Sequence, residues 1–423
     1  MCTTRSLYLA RANFHRRWRP YYRSADKSGI IEFAAFKLLG GTRYEGQCLS
    51  TNQKLACLAH RIPIEFLSAH YASQISKEEG EQVNSHMRVI LKVEGSLETI
   101  VTVSPSEPIL SEAAYFLMTQ AKFHASQVLK TILDRFAVHK GELGELIVAL
   151  LFIIARDEAI GPADVDGSPI SKRRCCSITE LLKSLFRIPC SPTEVNVVTS
   201  YGWRLTPEGT SSLQSRLSDT FQDSKVFFTH FIKVHQHAVV EVEFLMRLMV
   251  RGAAILCGNC QPGVDGIIPF LLKGDKITRD NIGVIMFQVK NDVKFTANPK
   301  VDYIQKMDPR SSGISADIPI IRLFFALASL TPAVKLVQHE TWHKAQQQSY
   351  DTYDFWVAGL SPDFLVPVVD DPDAWKDILQ ASQRWQKVYT GGDVFSRRLR
   401  KNMNPGAAEG KEFWENWCDD FPQ

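Results

Sequence analysis

The chain has 423 residues, of which 45% are hydrophobic and 22% charged, a composition that excludes a disordered chain and leaves room for two or three folded domains. A formal net charge of +3 is too small to predict a polyanion partner from the field of the whole molecule, so charge is informative only where it clusters. The longest apolar run, Leu146 to Ala155, is about half of the ~20 residues a membrane span needs, and the run from Ile318 to Val337 is broken by Arg322 and Pro332; no membrane partner is expected.

In chain order, residues 1–28 form a basic N-terminal arm. It carries Arg5, Arg11, Arg16, Arg17, Arg19 and Arg23 and no acid before Asp26, with Leu7, Leu9, Phe14 and Trp18 interleaved. A fraying basic terminus, a mitochondrial transit peptide and an arm that touches phosphates all fit that composition. Residues 29–225 read as a mainly helical region with loop insertions. Within it Glu112 to Phe136 is the clearest amphipathic helical stretch, and a helix from near Gly141 through Glu145 to Arg156 is apolar on nearly every side, which predicts burial. Asp157 to Arg174 and Ser191 to Ser224 read as loops.

From Val226 the pattern tightens. It predicts a helix over Val239 to Val250, strands over Ala253 to Cys257, Val264 to Leu272 and Ile282 to Lys290, a helix over Asp317 to Ala328 and an apolar strand at Val334 to Val337. These define a core at 226–345. A C-terminal extension, 346–423, adds a strand at Tyr353 to Leu360 and a helix at Pro372 to Tyr389 with Trp375 and Trp385; Arg397 to Lys401 is a basic surface cluster. The class is therefore α/β (α+β). Nine scattered cysteines and no secretory signal point to free thiols and an intracellular setting, nuclear or cytoplasmic, with a mitochondrial one if the arm is a transit peptide.

The residues that carry chemistry lie between 263 and 290. In Val284-Ile-Met-Phe-Gln-Val-Lys290 alternate side chains share a face, so Gln288 and Lys290 project together from an otherwise apolar strand. Asp265 opens the preceding strand. A hairpin centred near residue 277 puts residue 265 opposite residue 289, beside that polar pair. Buried charges are costly unless they pair or bind an ion. Either a salt bridge closes the hairpin, or Asp265, the Gln288 amide oxygen and the Val289 carbonyl hold Mg²⁺ (or Mn²⁺) for phosphodiester hydrolysis, with Lys290 stabilising the transition state.

Gly263-Val-Asp265 and Gln288-Val-Lys290, set in the order helix, three strands, helix, strand, resemble the PD-(D/E)XK (restriction-endonuclease-like) superfamily. The wider sequence looks like uncharacterised fungal proteins related to Crinkler and retrotransposon-hot-spot nuclease modules. That resemblance implies a restriction-endonuclease-like core, metal-dependent nuclease activity on DNA or RNA, and an NTPase-domain partner, whose motifs this sequence lacks. Two departures matter: the proline sits early, at Pro262, and the acid of the triplet is Gln288, which removes one negative ligand. The same superfamily implies a helix glutamate. Glu243, just ahead of the first strand, is favoured by proximity, while Glu145 in Lys140-Gly-Glu-Leu-Gly-Glu145 resembles the K-G-x-x-x-E helix of junction-resolving members. A catalytically inactive copy serving as a nucleic-acid or protein interaction module is the second reading.

Two zinc patterns compete. Cys257-Gly-Asn-Cys260 with His235 and His237 has the wrong histidine spacing. His339-Glu340-Thr-Trp-His343 spells the zinc-protease H-E-x-x-H, which requires a helix, yet the residues before it read as a strand.

Overall fold

The computed structural model describes residues 28–69, 73–93, 99–120, 123–135, 143–161, 175–187, 210–234, 239–258, 263–298, 300–304, 306–315, 317–343 and 348–390. The basic arm, Lys140, Gly141, His235, His237, Cys260, Pro262 and the Arg397 to Lys401 cluster lie outside the described residues.

The N-terminal part contributes α1 (Ser28–Leu38), α2 (Thr51–Ala59), β1 (Phe66–Ala69), α3 (Ser73–Ser85), β2 (Val89–Val93), β3 (Thr99–Val103), α4 (Pro108–Met118), α5 (Ala125–Arg135), α6 (Leu143–Ile160), α7 (Ile178–Leu185) and α8 (Thr210–Phe221). Three of its features depart from the sequence reading. The region expected to be mainly helical includes a three-stranded antiparallel sheet in the order β1-β3-β2. The single amphipathic helix expected over Glu112 to Phe136 is two helices. After α4 the side chains of Thr119 and Gln120 both bond back to the Phe116 carbonyl, each at 2.9 Å, the kind of side-chain competition that ends a helix. The expected loop from Ser191 to Ser224 contains α8, whose Leu217 and Phe221 are buried and hold an otherwise polar segment in place.

The larger sheet is built from β4 (Lys225–Val226), β5 (His230–Val234), β6 (Ala253–Cys257), β7 (Gly266–Leu271), β8 (Ile282–Lys290), β9 (Ile320–Ala326), β10 (Ala333–His343) and β11 (Gln348–Ala358). Helix α9 (Val242–Arg251) connects β5 to β6, α10 (Val301–Ile304) lies in the β8–β9 crossover, and α11 (Pro372–Thr390) follows the sheet. The order is β10-β11-β9-β8-β7-β6-β5, with β4 paired to β7. Strands β6, β7 and β8 form an antiparallel meander, β9 runs parallel to β8, and β11 lies between β9 and β10. The segment assigned to a C-terminal extension thus supplies an interior strand, and the sheet continues past residue 345.

Asp317 to Ala328, expected to be a helix, is strand β9. Its run Ile320 to Ala326, apolar but for Arg322, is buried at every position, the pattern of a strand covered on both faces between parallel neighbours. The sheet has two distinct faces. Behind it lies α6, buried nearly throughout, with Phe152 against Phe287 and Phe325 at ring separations of 5.2 and 6.1 Å. In front, the β8–β9 crossover places Tyr303 flat on Phe324 at 5.1 Å, and Val242 of α9 contacts Gly313 of the same crossover.

The hairpin register is pinned by a glycine. Gly266 faces Phe287, and a Cβ at residue 266 would come within 1.9 Å of the Phe287 ring, so the aromatic ring occupies the space a side chain would take. Further along the sheet, Arg322 of β9 and Asp354 of β11 form a buried two-bond ion pair of 2.7 and 2.9 Å. Breaking a buried pair from one side costs about 3–5 kcal/mol, whereas replacing both partners with apolar residues is often neutral. Arg322→Met is therefore expected to lose stability on that scale in urea denaturation, and Arg322→Met/Asp354→Leu to recover most of it.

Candidate functional site

The β7–β8 hairpin delivers the polar residues to one end of the sheet. The ladder pairs Gly266 with Phe287, one residue away from the register expected from sequence, and Asp265 lies just beyond that last pair. Its carboxyl feels the charge of Lys290, whose ammonium meets the Gln288 amide oxygen at 3.3 Å. The Asp265 N–H also donates to the Phe287 carbonyl at 2.9 Å, so residues 265 and 266 both face Phe287. Two residues against one is the geometry of a β-bulge, a device that re-aims a side chain at the end of a ladder.

The carboxylate so aimed accepts a hydrogen bond from the Val289 N–H at 2.6 Å. Because the N–H and C=O of a strand residue point to the same edge, the Val289 carbonyl also lies on the Asp265 side, while the Lys290 carbonyl accepts from Leu327 N–H at 2.9 Å on the other edge. With its amide oriented to satisfy both neighbours, Gln288 donates to the Tyr303 carbonyl at 2.8 Å and accepts from Lys290 Nζ at 3.3 Å. Burial pushes the Asp265 carboxyl above its usual range; the Val289 N–H and the Lys290 charge act in the opposite sense without cancelling the shift.

The two candidate glutamates separate cleanly. Glu243, favoured by proximity in sequence, forms an ion pair with Arg279 of the β7–β8 turn. It therefore sits at the far end of the hairpin, about 26 Å from Lys290 at the rise of an extended strand. Glu145 is buried in the first turn of α6. Its neighbour Gly144 abuts β8, where a Cβ would lie 3.1 Å from Val289 Cγ1 and 3.5 Å from Asn291 Cβ. Both Glu145 and Asp265 raise the pKa of the Cys257 thiol, which burial pushes to about 12. Both carboxylates thus act on Cys257 through their charge, Glu145 from the first turn of α6 and Asp265 from the start of β7. Among the described residues no group of three or more His, Cys, Asp or Glu side chains is arranged as a ready metal cage.

The other candidates fall away or lie beyond view. His339 and His343 are on strand β10, where four residues span about 13 Å, so the letters H-E-x-x-H do not form the helical zinc motif. Cys257 is described but Cys260, His235 and His237 are not. Among the described residues no helix is long and apolar enough to cross a membrane.

Residues 51–161 match the profile of a family described as a domain of unknown function, DUF8736. The matched segment runs from α2 to the end of α6 and so includes Glu145 but not Asp265, Gln288 or Lys290. No curated protein and no solved structure matches the chain.

The Asp265 shift has a stability consequence. Its folded-state pKa lies above the unfolded value, so the protonated form stabilises the fold below the ordinary carboxylate range, and that contribution is lost as pH rises through the raised value. Asp265→Asn keeps an acceptor for the Val289 N–H and carries no charge. It is expected to gain stability relative to the wild type between acid and neutral pH, read from urea midpoints at several pH values. A gap that stays constant with pH would show that the carboxyl is not perturbed.

Proposed function

We propose that the chain is a metal-dependent phosphodiesterase acting on DNA or RNA, built on a restriction-endonuclease-like core. The observation that carries this reading is the convergence of Asp265, Gln288 and Lys290 at the end of one hairpin, with the Asp265 carboxylate against the backbone of Val289. The antiparallel β6-β7-β8 meander followed by the parallel β9 supports it, since that is the strand order the PD-(D/E)XK resemblance implies. The crossover before β9 has only the short α10 and a 3₁₀ turn where the resemblance implies a full helix.

The donor set suits a hard divalent cation such as Mg²⁺ or Mn²⁺. Asp265, the Gln288 amide oxygen and the Val289 carbonyl offer oxygen ligands, and Glu145 adds a second carboxylate from behind the sheet. Such an ion, when bound, acidifies water and offsets charge on the scissile phosphate. The protein's own groups do the rest: Lys290 stabilises negative charge on the phosphoryl oxygens, and the Val289 N–H holds Asp265 in orientation. Tyr303, through its carbonyl, fixes the Gln288 amide.

One observation favours a second reading. The Gln288 oxygen faces Lys290 and its nitrogen is held by Tyr303, so an uncharged, already bonded amide stands where the superfamily pattern has an acid. A nuclease-like module that binds nucleic acid or protein without cutting fits that arrangement. The partner is nucleic acid under the first reading and nucleic acid or protein under the second, in an intracellular setting, with a separate NTPase domain as the further partner the resemblance implies.

The test is cleavage of labelled single- and double-stranded DNA and RNA with Mg²⁺ or Mn²⁺. Activity abolished by EDTA, and reduced on the order of 100- to 1,000-fold in Lys290→Ala, Asp265→Asn and Glu145→Gln, is the expected result. Glu243→Gln, at the other end of the hairpin, is expected to keep the wild-type rate. Binding that persists with no cleavage by the wild type points to the second reading.

A further inference from the structure

The β8–β9 crossover is joined to the candidate site by a continuous chain of contacts, and it presents lysines along that chain. Gln288 donates to the Tyr303 carbonyl at 2.8 Å. Lys300 Nζ lies 5.5 Å from the Tyr303 ring centroid, Phe295 meets Tyr303 edge-on at 5.5 Å, and Lys294 Nζ lies 5.3 Å from the Phe295 ring. On the other flank, Lys306 crosses directly over Gly263, where a Cβ would come within 2.3 Å of Lys306 Cβ. That places Lys306 two residues ahead of Asp265.

Lys294, Lys300 and Lys306 are all exposed. Among the described side chains the nearby acids do not cancel them. Asp292 reaches Lys294 at 3.3 Å, but that lysine remains 69% exposed, and Asp308 is turned to the Arg310 N–H at 2.9 Å. Aromatic rings lie beside two of the ammonium groups, a mixture of cations and rings suited to a polyanion with planar bases.

We propose that this crossover is a track for the phosphodiester backbone of a nucleic acid, with Lys294, Lys300 and Lys306 as its phosphate contacts, leading the strand across the front face to Asp265 and Lys290. The proposal rests on the nuclease reading for its direction but not for its binding. Its test therefore measures binding in an Asp265→Asn background, where cleavage plays no part.

Fluorescence anisotropy with single-stranded and duplex oligonucleotides, titrated from about 50 to 200 mM salt, compares that protein with Lys294→Ala/Lys300→Ala/Lys306→Ala. The log affinity against log salt is expected to become shallower by about 2–3, since each phosphate contact contributes about 0.7–0.9. Loss in the single-stranded arm, the duplex arm or both supports the track and says which form it serves. Lys273→Ala/Lys276→Ala, exposed at the far turn of the hairpin, is expected to bind like its parent, and thermal melts of all variants check folding. Unchanged affinity and slope in the triple variant, or no binding by the parent in either arm, would overturn the track. Loss of binding in the triple variant alongside a wild type that never cleaves would leave the track standing and remove the nuclease reading.

Discussion

Phe287 lies across Gly266, and that contact fixes how β7 and β8 align. A strand shifted by one residue turns every side chain to the opposite face, so the alignment decides which side chains meet at the polar end of the hairpin. Phe287 is itself held between Phe152 of α6 and Phe231 of β5, so the register is anchored from the layer behind. The polar end of the hairpin thus inherits its geometry from an apolar contact one residue further into the ladder.

Given that alignment, the electrostatics follow. Asp265 is pulled out of water far enough for desolvation to dominate its titration, and its compensation is local: one backbone N–H and one ammonium. The first turn of α6 brings Glu145 to the same end of the sheet, where the helix dipole favours a carboxylate, and Gly144 lets the helix approach the strand closely. Burial, with the charges of Asp265 and Glu145 acting in the same sense, holds Cys257 as a thiol. This concentration of buried charge is a burden on folding that sheet packing alone does not require, which is the physical argument for a role beyond structure.

How much of this was legible in the sequence depended on the kind of signal. The meander from Ala253 to Lys290 is readable because short apolar runs separated by turn residues leave few alternatives, and Gln288 and Lys290 share a face by alternation alone. Asp317 to Ala328 reads as a helix in sequence because a largely apolar run looks the same in a buried helix and a doubly covered strand; only its parallel neighbours β8 and β11, far apart in sequence, decide it. The choice between Glu145 and Glu243 was hidden for a related reason. Proximity along the chain favoured Glu243, while the packing of α6 behind β8 brings in a residue more than a hundred positions away. The one-residue offset runs through the whole β7–β8 ladder, from Leu271–Ile282 to Gly266–Phe287, so it is set by the turn, whose midpoint no periodicity announces.

The position of β11 also has consequences for the order in which the sheet is assembled. Strand β10 precedes β11 in the chain but lies outside it in the sheet, and β11 is its only ladder partner among the described residues. During synthesis an eleven-residue strand emerges before the neighbour that will receive it. Until that neighbour arrives both of its edges are open, the condition under which strands pair with other chains. The interval between the emergence of β10 and that of β11 is thus one in which this strand can pair with another chain, and in which a chaperone has an open edge to shield.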